Sequence, residues 1–385
     1  MNIGLLLPST LMYERYGREK IFAPHELFLD LADGLVARGH DVRVYSSSDT
    51  KTKGTLIAGN DALALQEPAA MKLRYVAPDT KKLLARRDAR WEYELDLTLK
   101  AYNDAKEGKI DLVHSFLEFS AHYFAEVTGV PTVYTLHDTA PDKEYLDYWR
   151  FRRFPRDHYV AISHSQARDF APLVDIAGVV HHGVHISRYE PNFETGEYVL
   201  FIGRYMPEKG VEDAIRAGIE TGNLTVLAGS KEYREITYYK KHIEPHLAHP
   251  LVREVGFLRD KKKAALLAGA KALLFPIRWE EPFGMVMIEA MACGTPVIAY
   301  NRGSVPEIVK DGVTGFIVEP NVSNVTNLSN WKIKKTGVEG LVEAVKRIGE
   351  IDRVACRKHV EENFTVEKMV EGYEQVYQNI LASKG

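Results

Sequence analysis

Between Ala272 and Gly294 the chain carries a strand, a loop and a helix whose chemistry leaves few folds open. Ala272 to Ile277 is an uninterrupted apolar run, short enough to be one buried strand. The loop Arg278-Trp279-Glu280-Glu281-Pro282 follows. Phe283 to Cys293 then reads as a helix, closed by Gly294 as a C′ glycine with Pro296 close behind. Of those eleven residues only Glu289 is charged. A helix that is apolar all round is buried, so Glu289 needs a hydrogen-bonding partner, in the protein or in a ligand. The helix start at Phe283, Gly284, Met285 and Val286 offers free backbone N–H groups and a positive dipole end. Gly284 allows close approach to the backbone, and the combination suits a phosphate. Glu281 lies before the helix and Glu289 about two turns in, eight residues later. Spacing alone leaves two readings: a pair of ligand-binding acids, or a solvated loop acid and an internal salt bridge.

The rest of the chain repeats a strand–helix rhythm. Ile3 to Pro8 reads as a buried strand and His25 to Gly39 as an amphipathic helix with Leu27, Leu31, Leu35 and Val36 on one face. Asp41 to Ser47 is the next strand, which makes a βαβ unit and a parallel sheet. Further strands are expected at Leu112–Phe116, Thr132–Leu136, Tyr159–Ser163 and Val179–Val184, with a helix at Leu83–Ala105. The polar, turn-rich stretch from Glu190 to Glu197 marks a domain boundary. A second series then begins. Its strands are Tyr198–Gly203, Leu224–Ala228, Leu251–Val255, Ala272–Ile277 and Pro296–Tyr300, and its first helix is Val211–Glu220. Several of these strands run into glycine or polar residues, the pattern of a Rossmann-like sheet with a ligand edge. No G-x-G-x-x-G follows its first strand, which argues against a nicotinamide dinucleotide. Asn321 to Lys335 reads as an extended polar loop, and Val338–Ile348 and Val366–Leu381 as helices.

Composition narrows the function. A hydrophobic fraction of 45% and a charged fraction of 27% are ordinary for a globular enzyme, and a net charge of −3 gives no hint of nucleic-acid binding. Two cysteines, Cys293 and Cys356, cannot build a disulfide framework. The start lacks the basic residues of a signal peptide and no apolar run reaches about 18 residues, so the expected location is the cytoplasm. Two basic clusters stand out: Lys81, Lys82, Arg86, Arg87 and Arg90, and Arg150, Arg152, Arg153 and Arg156. They read as solvated faces or, more sharply, as a peripheral dock for an anionic membrane or acidic acceptor.

Two further groups sit where ligands of open α/β sheets bind, beyond the carboxyl ends of strands. His137 ends the strand Thr132–Leu136. It either reaches a substrate or ties down its loop. Ser163 and His164 end another strand, and Ser165 is a candidate helix cap. Arg204 and Lys209 flank the loop after the first strand of the second series, just before a helix. They read as a diphosphate site or as a solvated basic loop.

E-P-F-G-M-V-M-I-E followed by A-M-A-C-G-T-P-V-I-A, with G-S-V-P-E-I-V-K-D-G-V-T-G-F behind it, resembles the E-x7-E motif of retaining glycosyltransferases of the GT-B type, family GT4. G-R-Y-M-P-E-K-G resembles the same family's phosphate loop. The resemblance covers most of the chain and is stronger in the second half. It implies two Rossmann-like domains facing across a cleft: residues 1–190 on the acceptor side and 191–365 on the donor side, with the C-terminal helix, 366–385, returning to the first. It implies a nucleotide-diphosphate sugar as co-substrate and no cofactor; that no Asp-x-Asp occurs in the chain favours a site without a metal. Arg204 and Lys209 would hold the pyrophosphate, Glu289 the ribose and Glu281 the sugar hydroxyls. Amides near Met285 and Val286 would hold the β-phosphate, and the Gly256-Phe257-Leu258 turn the base. His137 would face donor and acceptor. Two positions depart from the family, both on the acceptor side. The paired glycines after the first strand are reduced to Gly17 beside Arg18, and an asparagine-glycine-x-aspartate turn becomes His182-Gly183-Val184-His185. The acceptor, lipid-linked or a small molecule, is not named by these residues. A nucleotide-sugar epimerase and a non-catalytic nucleotide-sugar-binding module share the same features; a phosphorylase would need a pyridoxal lysine, for which the chain offers no basis.

Overall fold

The computed structural model describes residues 1–7, 12–13, 24–65, 80–116, 120–230, 236–321 and 330–383, with the backbone alone at 24, 64–65 and 80–89. Two compact units result, Met1–His181 with Val366–Gly385, and His182–Thr365. Each is a fully parallel sheet with helices as crossovers, as the alternating pattern requires.

The first unit holds seven strands: β1 (Asn2–Leu6), β2 (Asp41–Ser46), β3 (Thr55–Ala58), β4 (Leu112–Ser115), β5 (Thr132–Thr135), β6 (His158–Ala161) and β7 (Ile176–Val179). Their order is β3-β2-β1-β4-β5-β6-β7. The last strand begins earlier than the periodicity predicts and stops before Val184. Gly178 interrupts its apolar run because the C-terminal helix packs there: a Cβ on Gly178 would lie 2.9 Å from Val376. The short edge strand β3 has no clear apolar alternation and is not predicted.

The helix Val366–Ala382 belongs to this first unit. Gly34 makes room for it, since a Cβ there would meet Val370 at 2.5 Å. Arg38 Nε donates to Glu374 at 2.8 Å, and His40 Nε2 lies 2.7 Å from the same carboxylate. Deeper, Tyr377 Oη is 2.6 Å from His114 Nδ1, and His114 Nε2 is 2.7 Å from Thr135 Oγ1. Tyr373 completes the chain at 3.0 Å from Thr135 Oγ1.

The second unit holds six strands: β8 (Tyr198–Ile202), β9 (Thr225–Ala228), β10 (Val252–Glu254), β11 (Ala270–Phe275), β12 (Val297–Tyr300) and β13 (Gly315–Val318). Their order is β10-β9-β8-β11-β12-β13. Strand order reverses between β8 and β11, the place where open α/β sheets bind ligands. The sequence reading puts the domain boundary at 190, yet residues 182–190 pack within this unit. Val184 N–H donates to Phe364 O at 2.9 Å, and Arg357 Nη1 donates to Tyr189 O at 2.6 Å. Arg353 binds the unit's loops to its sheet: it donates to the carbonyls of Asn192, Ala268 and Ala270 and to Thr295 Oγ1, all within 3.0 Å. Strand β13, only four residues and opening on Gly315, is not predicted either.

Burial pushes the His114 imidazole down to about 3, so it is neutral in the fold. In the unfolded chain it takes a proton near 6.5. The unfolded state therefore binds more protons between those values, and stability falls as pH drops from about 6.5 towards 3. His137, pushed down to about 4 by burial, acts in the same direction. Stability of the first unit against denaturation is expected to fall below pH 6.5 by up to about 1.4 kcal/mol per pH unit for each such histidine. His114→Gln should flatten that slope; an unchanged slope in urea titrations from pH 7 to 5 would contradict the neutral buried imidazole.

Candidate active site

Two loops meet at the β8–β11 reversal. The loop after β8 runs from Gly203 through the short turn Pro207–Lys209 to Gly210. Gly210 has φ +70° and lies so close to the next loop that a Cβ would sit 1.9 Å from Pro276 O. Only glycine meets both demands. Arg278 N–H donates to Glu208 O at 2.7 Å, which joins the loop after β11 to the loop after β8.

The loop after β11, residues 276 to 284, is held from its other side by residues 302–304. Ser304 N–H donates to Glu281 O at 3.0 Å and Ser304 Oγ to Phe283 O at 2.7 Å. Gly303 has φ +54°, and a Cβ on it would lie 2.3 Å from Glu281 O. Glu280 turns to this side, accepting from Gly303 N–H at 2.6 Å and Arg302 Nη1 at 3.0 Å. Its neighbour Glu281 turns to the other. Lys209 Nζ lies 2.8 Å from Glu281 Oε2, and Trp279 Nε1 donates to the same oxygen at 2.9 Å. The Lys209 ammonium also stands 4.6 Å over the Trp279 ring, a cation–π contact.

The helix begins at Met285, two residues later than expected, because Gly284 takes the left-handed conformation at φ +80°. Among the described residues the N–H groups of Gly284, Met285 and Val286 make no hydrogen bond, and all three residues are partly exposed. With the positive end of the helix they make a corner of free donors beside Glu281 and Lys209, a geometry that suits an anion. Farther along the helix, Glu289 is buried. Its Oε1 accepts from Lys263 Nζ at 2.6 Å and from Tyr189 Oη at 3.1 Å. The internal salt bridge that spacing left open is therefore present.

Comparison with known proteins gives this geometry a family. The family model described as "Glycosyl transferases group 1" matches residues 186–336, and that described as "Glycosyltransferase Family 4" matches residues 26–188. The chain belongs to the family 4 glycosyltransferases. It is 26% identical to N-acetyl-alpha-D-glucosaminyl L-malate synthase of Bacillus anthracis, over 75% of this chain and 80% of that protein. It is likewise 26% identical to glycogen synthase of Mycobacterium tuberculosis, over 75% of this chain and 77% of that one. Its fold is similar to Anabaena Alr3699/HepE in complex with UDP and glucose, with a TM-score of 0.68, 19% identity and coverage of 98% and 100%. Sucrose-phosphate synthase from Thermosynechococcus elongatus gives a TM-score of 0.70 at 19% identity, covering 99% of each chain. The fold is thus GT-B.

Within this glycosyltransferase the other expected site residues are distributed as follows. Arg204 follows β8, partly exposed, and makes no side-chain hydrogen bond or ion pair among the described residues. Gly256, with φ +72°, Phe257 and Leu258 follow β10. Gly256 O accepts from Gly229 N–H at 3.1 Å, and a Cβ on Gly229 would be 2.2 Å from Gly203 O, so the turns after β8, β9 and β10 adjoin. His137 lies in the first unit just past β5, stacked on Phe116 at 5.4 Å. Gly17 and Arg18 lie outside the described residues. Ser163, not Ser165, caps its helix, accepting from Gln166 N–H at 3.0 Å. Burial pushes both thiols, Cys293 and Cys356, up to about 12, which leaves them as packing groups.

The basic clusters are largely spoken for where their side chains are described. Arg90 pairs with Glu94 at 2.7 Å, Arg150 with Asp147 at 2.5 Å and Arg153 with Glu126 at 2.8 Å, while Arg152 and Arg156 are exposed. The side chains of Lys81, Lys82, Arg86 and Arg87 lie outside the described residues. No helix among the described residues is long and apolar enough to cross a membrane.

Sequence reasoning missed Trp279, Lys263 and Tyr189. Trp279 carried a usable signal, an indole set among charged residues two places before Glu281. Lys263 is one of three consecutive lysines, and nothing local separates it from the other two.

Gly303→Ala is expected to destabilise the second unit by about 2 kcal/mol, from a left-handed backbone and a clash with Glu281 together. Thermal unfolding measures it. A variant melting with the wild type would show that residues 302–304 do not hold the Glu281 loop in this way.

Proposed function

We propose that this glycosyltransferase is a retaining enzyme that moves a hexosyl unit from a nucleotide-diphosphate sugar to an acceptor without a metal ion. The observation that carries the reading is the convergence of Lys209, Glu281 and the unbonded amides of Gly284, Met285 and Val286 at the strand-order reversal. These groups match a diphosphate joined to a sugar: cation and amides for the one, carboxylate for the other. UDP-glucose is the first choice of donor and GDP-mannose the second; the UDP and glucose held by the Anabaena neighbour support that order. The acceptor is a lipid-linked or small molecule, and contact with an anionic membrane surface would run through the exposed Arg152 and Arg156.

Breaking the donor's glycosidic bond puts negative charge on the leaving diphosphate and positive charge on the sugar ring. Arg204, Lys209 and the helix start stabilise the diphosphate electrostatically. Glu281 accepts hydrogen bonds from sugar hydroxyls, with Trp279 Nε1–H fixing its direction. Glu289 accepts from the ribose, and the base lies against Gly256, Phe257 and Leu258. The leaving phosphate takes the acceptor's proton on the same face of the sugar, which retains configuration. His137 serves the acceptor side as a neutral imidazole. The location is the cytoplasm.

The test is a thermal-shift panel of UDP, GDP, ADP and their common sugars, with and without magnesium. A ligand at about 100 times its dissociation constant stabilises by about 2.7 kcal/mol. One nucleotide is expected to stand out, with no effect of magnesium. Lys209→Ala and Glu281→Ala are expected to abolish transfer of that donor's sugar while leaving the melting temperature within a few degrees. Full turnover by either variant would overturn the reading.

A further inference from the structure

Lys261, Lys262 and Lys263 lie in the first turn of the helix Asp260–Ala268, and only Lys263 turns inward; the other two are exposed. Its Nζ lies 2.6 Å from Glu289 Oε1, which also accepts from Tyr189 Oη at 3.1 Å. A carboxylate oxygen has two lone-pair sites, so these two donors use up Oε1. Oε2 takes no hydrogen bond among the described residues. Glu289 is 7% exposed in an otherwise apolar helix, where an unpaired carboxylate would be strongly unfavourable.

The helix that carries Lys263 also begins directly behind the turn Gly256-Phe257-Leu258. Two residues with positive φ bracket that turn, Gly256 at +72° and Asp260 at +50°, the latter the only non-glycine of its kind among the described residues. Asp260 departs from the usual backbone preference, so the direction in which the helix leaves the turn is specified rather than free. Within one helical turn of Asp260, Lys263 reaches Glu289. The Gly256 turn and the Glu289 carboxylate are therefore tied together by one short, directed segment.

We propose that Lys263, assisted by Tyr189, is a positioning residue that fixes Glu289 so that Oε2 alone meets the two ribose hydroxyls of a nucleoside diphosphate, in register with the base turn. This rests on the reading of Glu289 as the ribose acid. The distinctive consequence is selectivity between ribose and a sugar without hydroxyls. A lysine that only neutralised a buried charge would alter stability, and would weaken every nucleotide alike.

Isothermal titration of UDP, GDP and ADP, each beside its 2′,3′-dideoxy counterpart, tests this on the full chain. For the nucleotide that binds tightest, the wild type is expected to prefer the ribose form by about tenfold or more, as lost hydrogen bonds to a charged group imply. Lys263→Met should weaken the ribose form about tenfold and the dideoxy form by less than about threefold, so that the preference collapses. Binding of the dideoxy form itself reports a folded site. Tyr189→Phe should lower the preference about threefold, and it carries the test if Lys263→Met does not fold. Equal weakening of both forms in Lys263→Met, or an unchanged preference in Tyr189→Phe, overturns the positioning role. A wild type that binds a nucleotide with no ribose preference removes the role of Glu289. A wild type that binds none of the three overturns the proposed function, and this inference with it.

Discussion

The loop from Pro276 to Gly284 has no regular structure, and the site depends on one steric fact about it: the main chain of Glu281 is approached by Gly303 with no room for a Cβ. That approach lets Ser304 N–H reach Glu281 O and lets Gly303 N–H reach the Glu280 carboxylate. Once Glu280 is engaged there, adjacent Glu281 is directed the opposite way, towards Lys209 and Trp279. Two neighbouring acids thus acquire opposite roles from backbone geometry alone. The loop's other flank is set in the same manner by Gly210 against Pro276 and by Arg278 N–H on Glu208 O.

Both acids of the E-x7-E pair hold a lysine, Glu281 with Lys209 and Glu289 with Lys263. The pairing suits acids that are largely buried, where an isolated charge is strongly unfavourable. For the donor proposed above, it would make diphosphate binding an exchange rather than a simple gain. Lys209 could not give its full interaction to a phosphate and to Glu281 together, so part of the new attraction would offset the loss of the old. Opposite charges about 4 Å apart attract by about 4 kcal/mol in an environment of effective dielectric near 20, and both sides of the exchange are of that order. In the proposed complex the balance would be tipped by the amides at the helix start and the Arg204 side chain, which make no hydrogen bond among the described residues. Trp279 touches both partners, Lys209 through its ring and Glu281 through its N–H.

Much of the fold was legible because period and punctuation are local signals. The strands that begin at Tyr198, Leu224, Ala272 and Pro296 in the sequence reading are β8, β9, β11 and β12 to within about two residues at each end. The misses have local causes. Gly178 broke the apolar run of β7 for the sake of the helix packed on it, and Gly284 delayed its helix by adopting a left-handed conformation. In the site, the need of Glu289 for a partner was legible, since it is the single charge in an apolar helix. The partners were not, because Lys263 is 26 residues away in sequence and Tyr189 is 100. Lys209 and Glu281, separated by 72 residues, were each singled out, but not as contacts of one another. Pairings of that span are set by the strand order, which no local pattern carries. His182-Gly183-Val184-His185 shows the same limit: its departure from the family turn was visible, but its attachment to Phe364, which places it in the second unit, was not.

The state of His137 bears on the acceptor-side role proposed for it above. Burial pushes this imidazole down to about 4, so at neutral pH it carries no charge and is a weak base. A neutral imidazole still offers one donor and one acceptor, enough to orient a hydroxyl. It is poorly matched to removing that hydroxyl's proton, because a general base works best with a pKa near the working pH. In the reaction proposed above, a phosphate oxygen, with a second pKa of about 6, would be the better matched base. Burial thus suits His137 to orienting a hydroxyl rather than to removing its proton, which agrees with the division of labour proposed above, where the leaving group accepts the proton.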